Sequence, residues 1–380
     1  MSRSLYAFAI AAICASTVLA SAQVKSSTTE PSRSPSSPVA YVYVSTLPTS
    51  GSGKIYGAAV APNGSASLIP GTPFPYTGTY MAVNGKWLFA VRYLDENIDS
   101  FSIGSNGAIT MKDTYTLPSG GGAISVYLDH TGSTLYADYY TTNNDYLSFS
   151  INQSTGQLNE IGDLPGSPSD NSPVSFIGNN VYAYSSSCYH FGPEIIGVQR
   201  AANGPLSRIN NFNPPFPAEQ SGGFYCPWLA AADPTNHLAI AMVPLNSNWG
   251  QDGPWQLATY TADSSGNLTT NSTYSNMPGV LVGGVNDYRM SPSGQYLAVG
   301  GTSGFQIFHF NGANPITPYT GVLTSAPIDQ IFWDTSNHVY AMSRSAGEVF
   351  VFTVNSTAVY QAPGSPHKVP SPMSLIVLPK

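Results

Sequence analysis

Charged residues are scarce in this chain, and their scarcity limits what the protein can be. Only 9% of the 380 residues are charged, against about 25% in an average soluble domain. Long surface helices are usually built with Lys and Glu, so the composition argues against a helical protein. The chain has no Lys/Arg cluster and a formal net charge of −7. Nucleic acid is therefore not an expected partner, because phosphate neutralisation dominates that affinity.

Cysteine and metal-ligand patterns are also sparse. No His/Cys set has zinc spacing, and the acidic stretch "LDENIDS" (94–100) lacks the Gly-centred loop of a calcium site. There is no phosphate-binding loop and no G-x-S-x-G motif. We therefore expect no metal and no cofactor. Of three cysteines, only Cys188 and Cys226 follow the N-terminal segment; they predict a disulfide if the protein is exported, with two free thiols as the alternative.

The N-terminal segment predicts export. Residues 1–22 combine Arg3, an apolar stretch and the small-residue site Ala20-Ser21-Ala22, as in a secretory signal peptide. The alternative is an uncleaved membrane anchor, although the apolar run is short for a span. Residues 23–38 are rich in Ser, Thr and Pro and predict a disordered linker. We expect a secreted or periplasmic protein, with no membrane span after cleavage and with its domain at 39–380.

Residue types that favour strands and turns are abundant, with 24 Tyr, 36 Gly and 31 Pro. They fall into a repeat in which an apolar strand, a tight turn and a second apolar strand recur at intervals of about 42 to 59 residues. The second strands begin "AYVYV" (40), "KWLFAV" (86), "TLYAD" (134), "NVYAY" (180), "HLAIAM" (237), "YLAVG" (296) and "HVYAM" (338). A third strand and a short fourth strand follow each copy. The pattern predicts an all-β, seven-bladed β-propeller with four antiparallel strands per blade.

The two ends of the repeat complement each other. The first copy begins at a second strand, whereas "PMSLIVLPK" (372–380) reads as a first strand with no second strand after it. We therefore predict that the C-terminal strand joins the N-terminal blade and closes the ring, which removes two open sheet edges.

The phrases "YVYVS" (41–45), "LDHTGSTLYAD" (128–138) and "LIPGTPFPYTG" (68–78) resemble the lactonase-like seven-bladed propellers. This family contains cycloisomerase-type 6-phosphogluconolactonases and exported YVTN-repeat proteins, and the resemblance covers the domain from end to end. It implies a propeller fold and, for the enzymatic members, lactone hydrolysis.

The lactonase motifs are matched only in part. In the family, a His-containing pair precedes a strand–turn–strand that ends in Asp; here Asp138 matches that Asp, but Ala123 and Ile124 replace the pair. A second family motif, Pro-Arg-His, corresponds to Pro227 followed by Trp228 and Leu229. A lactonase needs a base and a cation for the developing oxyanion, and these positions do not supply them.

Polar residues should gather on the face formed by the 4→1 and 2→3 loops, which we call the mouth face because it surrounds the channel mouth. If the protein is a lactonase-like hydrolase, the catalytic candidates are Asp138, His190, Glu219, Arg289 and Arg344. The candidates for ligand binding are Arg92, Tyr139, Tyr225, Asp287 and Trp249.

The preferred hypothesis is an exported monomer that serves as a binding or scaffold module. Its partner would be a small molecule, a glycan or a protein held at the mouth face. The alternative is hydrolysis of a lactone or sugar-derived ester. His237 and His338 occupy matching turns on the opposite face and are expected to be surface residues of the repeat.

Overall fold

The computed structural model describes residues 37–380 apart from positions 48–51, 93, 119, 141–143, 167–172, 189–191 and 220–221. The predicted signal peptide, most of the predicted linker and His190 lie outside the described residues. Strands and turns account for the described part, which contains no helix. In that part, no segment meets the length and hydrophobicity of a membrane-spanning helix.

The first half of the domain contains short strands separated by turns and loops. They are β1 (Ala40–Thr46), β2 (Ile55–Val60), β3 (Ala66–Leu68), β4 (Tyr80–Val83), β5 (Trp87–Val91), β6 (Asn97–Ile103), β7 (Ile109–Thr116), β8 (Gly122–Leu128), β9 (Thr134–Tyr140), β10 (Asn144–Ile151), β11 (Leu158–Leu164), β12 (Ser175–Phe176), β13 (Tyr182–Ser187), β14 (Glu194–Arg200) and β15 (Leu206–Arg208).

The second half continues in the same way. Its strands are β16 (Phe224–Ala232), β17 (His237–Leu245), β18 (Gln256–Ala262), β19 (Leu268–Thr269), β20 (Val285–Met290), β21 (Tyr296–Gly301), β22 (Gly304–Asn311), β23 (Asn314–Pro318), β24 (Gln330–Trp333), β25 (His338–Ser343), β26 (Glu348–Val354), β27 (Val359–Gln361), β28 (His367–Lys368) and β29 (Pro372–Pro379).

These strands form seven antiparallel sheets, which are the predicted blades. From inner to outer strand, blade 1 is β29-β1-β2-β3, blade 2 is β4–β7, blade 3 is β8–β11, blade 4 is β12–β15, blade 5 is β16–β19, blade 6 is β20–β23 and blade 7 is β24–β27. Blade 7 also carries β28, which pairs with β26 and was not expected. The predicted seven-bladed propeller is confirmed.

The predicted ring closure is also confirmed. Strand β29 pairs with β1 in antiparallel register, with Tyr41 opposite Leu378 and Val44 opposite Leu375. Leu375 is fully buried, and its neighbours up to Leu378 are at most 6% exposed. The C-terminal strand therefore fills the innermost position of blade 1.

The core lies between neighbouring blades, because each second strand packs small and aromatic side chains against the next sheet. Tyrosines on second strands also donate a hydrogen bond to a turn carbonyl of the following blade. The pairs are Tyr43–Gly107, Tyr136–Gly204 and Tyr184–Gly266, each at 2.7 Å. Gly266 has a φ of +82°, and a Cβ there would lie 2.5 Å from the Tyr182 ring. Only glycine fits this turn without strain.

The recurring Asp-x-(Ser/Thr) phrase has a structural role at the 1→2 turns. In blade 7, Asp334 Oδ1 accepts hydrogen bonds from the backbone N–H groups of Ser336 and His338, at 2.8 and 2.9 Å. Its Oδ2 lies 2.8 Å from His338 Nδ1 and also accepts from Tyr340 Oη. The expectation that His338 is a surface residue is wrong, since the side chain is 1% exposed.

Candidate functional site

The predicted catalytic Asp138 lies inside the wall of blade 3. It lies within the buried part of β9, and its Oδ2 accepts a short hydrogen bond from Ser125 Oγ on β8. Burial raises the pKa of the neighbouring Tyr127 hydroxyl, and the negative charge of Asp138 raises it further. A carboxylate in this position stabilises the pairing of β8 with β9 and has no open path to a ligand.

Glu219 and Tyr225 lie close to each other at the entry to blade 5. Glu219 Oε2 accepts a hydrogen bond from the backbone N–H of Gly223 at 3.1 Å. Tyr225 is 1% exposed and donates to Gln256 Oε1 at 2.5 Å. Burial raises the pKa of Tyr225 to about 12, and the charge of Glu219 adds to this effect. Both groups hold loops in place, and Tyr225 presents no surface to a ligand.

The predicted rim residues are engaged in local contacts. Arg92 forms an ion pair with Asp95, and its side chain is 61% exposed. Arg344 Nε donates to the carbonyl of Met373 at 3.0 Å, which ties blade 7 to blade 1. The backbone N–H of Arg344 donates to Asp329 Oδ2 at 2.8 Å. Both arginines are exposed at the surface.

Tyr139 is directed into the structure. Its side chain is 3% exposed, and its hydroxyl donates to the carbonyl of Pro118 at 2.5 Å. It joins blade 3 to the preceding 4→1 connection, so its ring is not available to a ligand at the mouth face.

Arg289 and Asp287 form the one charged pair of the candidate set that faces the channel in the described structure. Both lie on β20, with Arg289 Nε 3.4 Å from Asp287 Oδ1. The guanidinium carbon lies 4.9 Å from the ring centre of Phe332 on β24, a cation–π contact. Asp287 Oδ2 accepts from the N–H of Ile331 at 2.8 Å. Burial raises the pKa of Asp287, and Arg289 opposes that shift.

The terminal nitrogens of Arg289 remain available to a ligand. The side chain is 44% exposed, and within the described residues neither Nη atom has a hydrogen-bond partner. The guanidinium is held at one edge by Asp287 and on one face by Phe332. Its remaining N–H groups therefore have a fixed direction.

A cavity of about 250 Å³ adjoins Arg289 in the central channel. Residues from the inner ends of blades 3 to 6 line it: Tyr127, Leu128, His130, 173–176, 230–232 and 288–290. They lie in the halves of the inner strands that lead to the 1→2 turns. The cavity thus lies in the half of the channel away from the mouth face, and a ligand at the mouth face stays a prediction.

His130 is a cavity residue that the sequence analysis did not single out. Its ring centre lies 6.1 Å from that of Phe176, and its backbone N–H donates to Asn180 Oδ1. Burial lowers the pKa of the His130 ring. The imidazole is therefore neutral at pH 7 and can accept a proton.

The disulfide between Cys188 and Cys226 is present, with the two Cα atoms 5.4 Å apart. It links the end of the second strand of blade 4 to the first strand of blade 5. Val243, Leu245 and Cys226 form a buried cluster, against which Phe224 and Trp255 pack. The expectation of a bonded pair is thus met, and the link fixes the base of the long loop of blade 5.

Trp249 lies at the tip of that loop and has an unusual backbone. Its φ is +63°, a conformation that costs an L-residue roughly 1–2 kcal/mol, and its side chain is 54% exposed. The ring contacts Phe224 edge to face, with centroids 4.9 Å apart. Trp228, at a bulge in β16, contacts Trp255 in a similar way at 5.8 Å. Aromatic side chains are thus concentrated at the mouth end of blade 5.

The predicted catalytic residues do not form one constellation in the part of the chain that the structure describes. Asp138 is enclosed in blade 3, and Glu219 accepts a hydrogen bond from the N–H of Gly223 before blade 5. Arg344 donates a hydrogen bond to a backbone carbonyl of blade 1. Arg289 lines the channel cavity, whereas Arg344 lines a separate depression between blades 7 and 1. The described residues also contain no cluster of three or more His, Cys, Asp or Glu side chains suited to a metal ion.

Comparison with known proteins places the fold and leaves the function open. No family model and no curated protein matches the sequence. The periplasmic gluconolactonase of Pseudomonas aeruginosa is similar in structure, with a TM-score of 0.65 and 14% identity over 89% of this chain and 99% of that one. A putative 6-phosphogluconolactonase from Bacteroides fragilis gives a TM-score of 0.64 and 14% identity, over 89% and 98%.

A protein from Lactobacillus plantarum gives a TM-score of 0.65 and 16% identity, over 89% of this chain and 99% of that one. These similarities confirm that the chain has a lactonase-like propeller fold, as the sequence phrases indicated. At such low identity they are evidence for the fold alone.

Proposed function

We propose that this protein is an exported, ligand-binding propeller that holds a small carboxylate-containing molecule in its central channel. The observation that carries the proposal is Arg289, which lines the channel cavity and whose terminal nitrogens have no hydrogen-bond partner among the described residues. Arginine binds carboxylates through two parallel N–H donors, and such hydrogen bonds are about twice as strong as neutral ones.

The size and lining of the cavity support a small ligand. A volume of about 250 Å³ is below the roughly 300–1,000 Å³ of pockets for drug-sized molecules. Apart from Arg289, the lining offers the neutral imidazole of His130, the ring of Tyr127, whose hydroxyl is buried, and the small side chains of Ala230–Ala232. This combination suits a short hydroxylated acid, with its carboxylate on the guanidinium.

Binding of D-gluconate, measured by isothermal titration calorimetry, tests the proposal, with D-glucose as the neutral counterpart. Arg289→Met should weaken gluconate binding about 10- to 150-fold, since hydrogen bonds to a charged group contribute roughly 1.5–3 kcal/mol. Lys112→Gln removes one positive charge from an exposed position on β7 and should leave the affinity unchanged. Equal affinity of wild type and Arg289→Met, or no binding by wild type, would refute the proposal.

Hydrolysis of a sugar lactone is a second candidate, favoured by the gluconolactonase names of two similar structures. In the channel, neutral His130 would act as the base and Arg289 would stabilise the oxyanion. Acid release from D-glucono-δ-lactone, followed by pH-stat above the spontaneous rate, tests this candidate. Loss of the catalysed rate in both His130→Gln and Arg289→Met would support it, and no acceleration by wild type would exclude it for this lactone.

Export is part of the proposal. The signal-peptide pattern of residues 1–22 supports it, as does the disulfide, a bond typical of oxidising compartments. One similar structure is that of a periplasmic protein. Expression of the full chain in a secreting bacterium should release protein whose first residue is Gln23. Recovery of the intact N-terminus in the cytoplasm would contradict export.

A further inference from the structure

We infer that the loop 246–250 is a second recognition element, which stacks a neutral saccharide on the indole of Trp249. This site is separate from the Arg289 cavity, because it lies on the mouth face at blade 5. The inference goes beyond the proposed function and does not depend on a carboxylate in the channel.

The backbone of the loop is held by its own hydrogen bonds. Asn246 Oδ1 accepts from the N–H groups of Asn248 and Gly250, at 2.9 and 3.0 Å. The backbone carbonyl of Asn246 accepts from the N–H of Trp249 at 3.0 Å, and the backbone N–H of Asn246 donates to the carbonyl of Gly250 at 2.9 Å. A bridge between Leu245 and Gln251 closes the base. The indole is therefore presented from a rigid turn.

Trp249 occupies a backbone position that does not favour tryptophan. A bulky residue with a φ of +63° is unfavourable, whereas Asn or Gly adopts that conformation readily. The side chain is 54% exposed, so more than half of its surface takes no part in packing. Strained residues cluster at binding and active sites, and the exposed part of this ring is open to a ligand.

The indole is also pre-organised. Its ring meets Phe224 edge to face at an interplanar angle of 75°, and Phe224 packs on the cluster that contains Cys226. The indole N–H has no hydrogen-bond partner among the described residues. A ligand that stacks on the exposed ring therefore orders little that is not already fixed, which favours affinity.

The surroundings of the ring indicate a neutral, hydroxylated ligand. Residues 246–251 are Asn-Ser-Asn-Trp-Gly-Gln and carry no charge. Asn248 and Gln251 are exposed in the same stretch of chain, and Gln251 uses its Nε2 to donate to Gly253 at 2.8 Å, which leaves Oε1 as an acceptor. The apolar C–H face of a pyranose matches the indole, and its hydroxyls match the amides. The charged residue that follows the loop is Asp252, so an acidic peptide finds no cation in residues 246–252.

The test uses the purified protein and a panel of neutral tetrasaccharides: cellotetraose, maltotetraose, xylotetraose and chitotetraose. Binding is followed by tryptophan fluorescence and by calorimetry. Trp249→Asn, which keeps the turn conformation, should weaken the binding of any bound member at least ~10-fold, with Tm unchanged or raised. As a control, Tyr360→Thr removes an aromatic side chain that is 58% exposed on β27. It should leave saccharide binding unchanged.

Arg289→Met should leave saccharide binding intact, which separates this site from the channel. Three results would overturn the inference. These are no binding of the panel by wild type, equal binding by Trp249→Asn, or a fall in Tm for Trp249→Asn that shows the indole to be a packing residue. Selective, Trp249-dependent binding of peptides from a random library, without saccharide binding, would also overturn it.

Discussion

Removal of the disulfide should substantially destabilise the propeller. Cys188 and Cys226 are 38 positions apart in sequence, so the bond closes a loop of about 39 residues in the unfolded chain. In the chain-entropy model, a loop of this length corresponds to about 4 kcal/mol of stabilisation. Typical domains have only about 5–15 kcal/mol in total. The double variant Cys188→Ala/Cys226→Ala should therefore lose a large part of its free energy of unfolding.

Urea denaturation followed by circular dichroism and tryptophan fluorescence measures this loss. The variant should unfold at a lower urea concentration and with a larger m-value, because its unfolded chain is no longer cross-linked and exposes more surface. Wild type unfolded and refolded in reducing buffer provides the matched control, since it lacks the bond but keeps both sulfur atoms. It should fall close to the double variant.

Two outcomes would refute the reasoning. If oxidised wild type and the double variant had the same free energy of unfolding, the bond would contribute nothing through the unfolded chain. If reduced wild type stayed as stable as the oxidised form while the variant did not, the loss would come from packing. Cys226 is fully buried beside Val243, so the reduced control is needed to separate these causes.

The tyrosines with buried rings lead to two further predictions. Tyr184→Phe should lower the free energy of unfolding by about 1–3 kcal/mol, because it leaves the buried carbonyl of Gly266 without its donor. The control is Tyr182→Phe, which removes an exposed hydrogen bond of 3.2 Å and should lower that free energy clearly less in the same urea titration. Equal losses in the two variants would contradict the role of burial. Alkali should unfold the protein between pH 10 and 12, because burial raises the pKa of Tyr136 and Tyr225 to about 12. In the unfolded chain these phenols ionise near pH 10. As pH rises above 10, proton loss therefore stabilises the unfolded state before it can stabilise the folded state, and the free energy of unfolding falls. Absorbance of phenolate at 295 nm should then rise together with the loss of circular dichroism, and phenolate formation well before that loss would contradict it.

The fold could be predicted from sequence because it depends on a pattern that recurs in every blade. Strands alternate in period two, and turns such as Asn337 and Gly132 show the positive φ that their residue types favour. The closure of the ring could be predicted because the first copy of the repeat lacks a first strand, and residues 372–380 supply one. Strand β28 was missed because a two-residue pairing leaves no periodicity in the sequence.

The site could be predicted only in part, because a position near the end of a strand does not determine what its side chain contacts. Asp138 and Tyr139 lie near the end of β9, and both are buried, with hydrogen bonds to Ser125 and Pro118. A bulge in an inner strand reverses the facing of the residues beyond it, and such bulges occur in β8, β16 and β20. The position of Arg289 at the cavity depends on this register, which sequence does not reveal.

Closure of blade 1 by the last strand also has a consequence for biosynthesis. At about 5–20 residues per second, roughly 20 to 70 s separate the synthesis of β1 from that of β29. For this interval the edge of β1 that will pair with β29 has no neighbour, although all seven of its residues are buried in the finished domain and five of them are hydrophobic. A nascent chain of this kind is vulnerable to aggregation until the ribosome releases it, and a stop codon a few residues early would leave the vulnerability permanent.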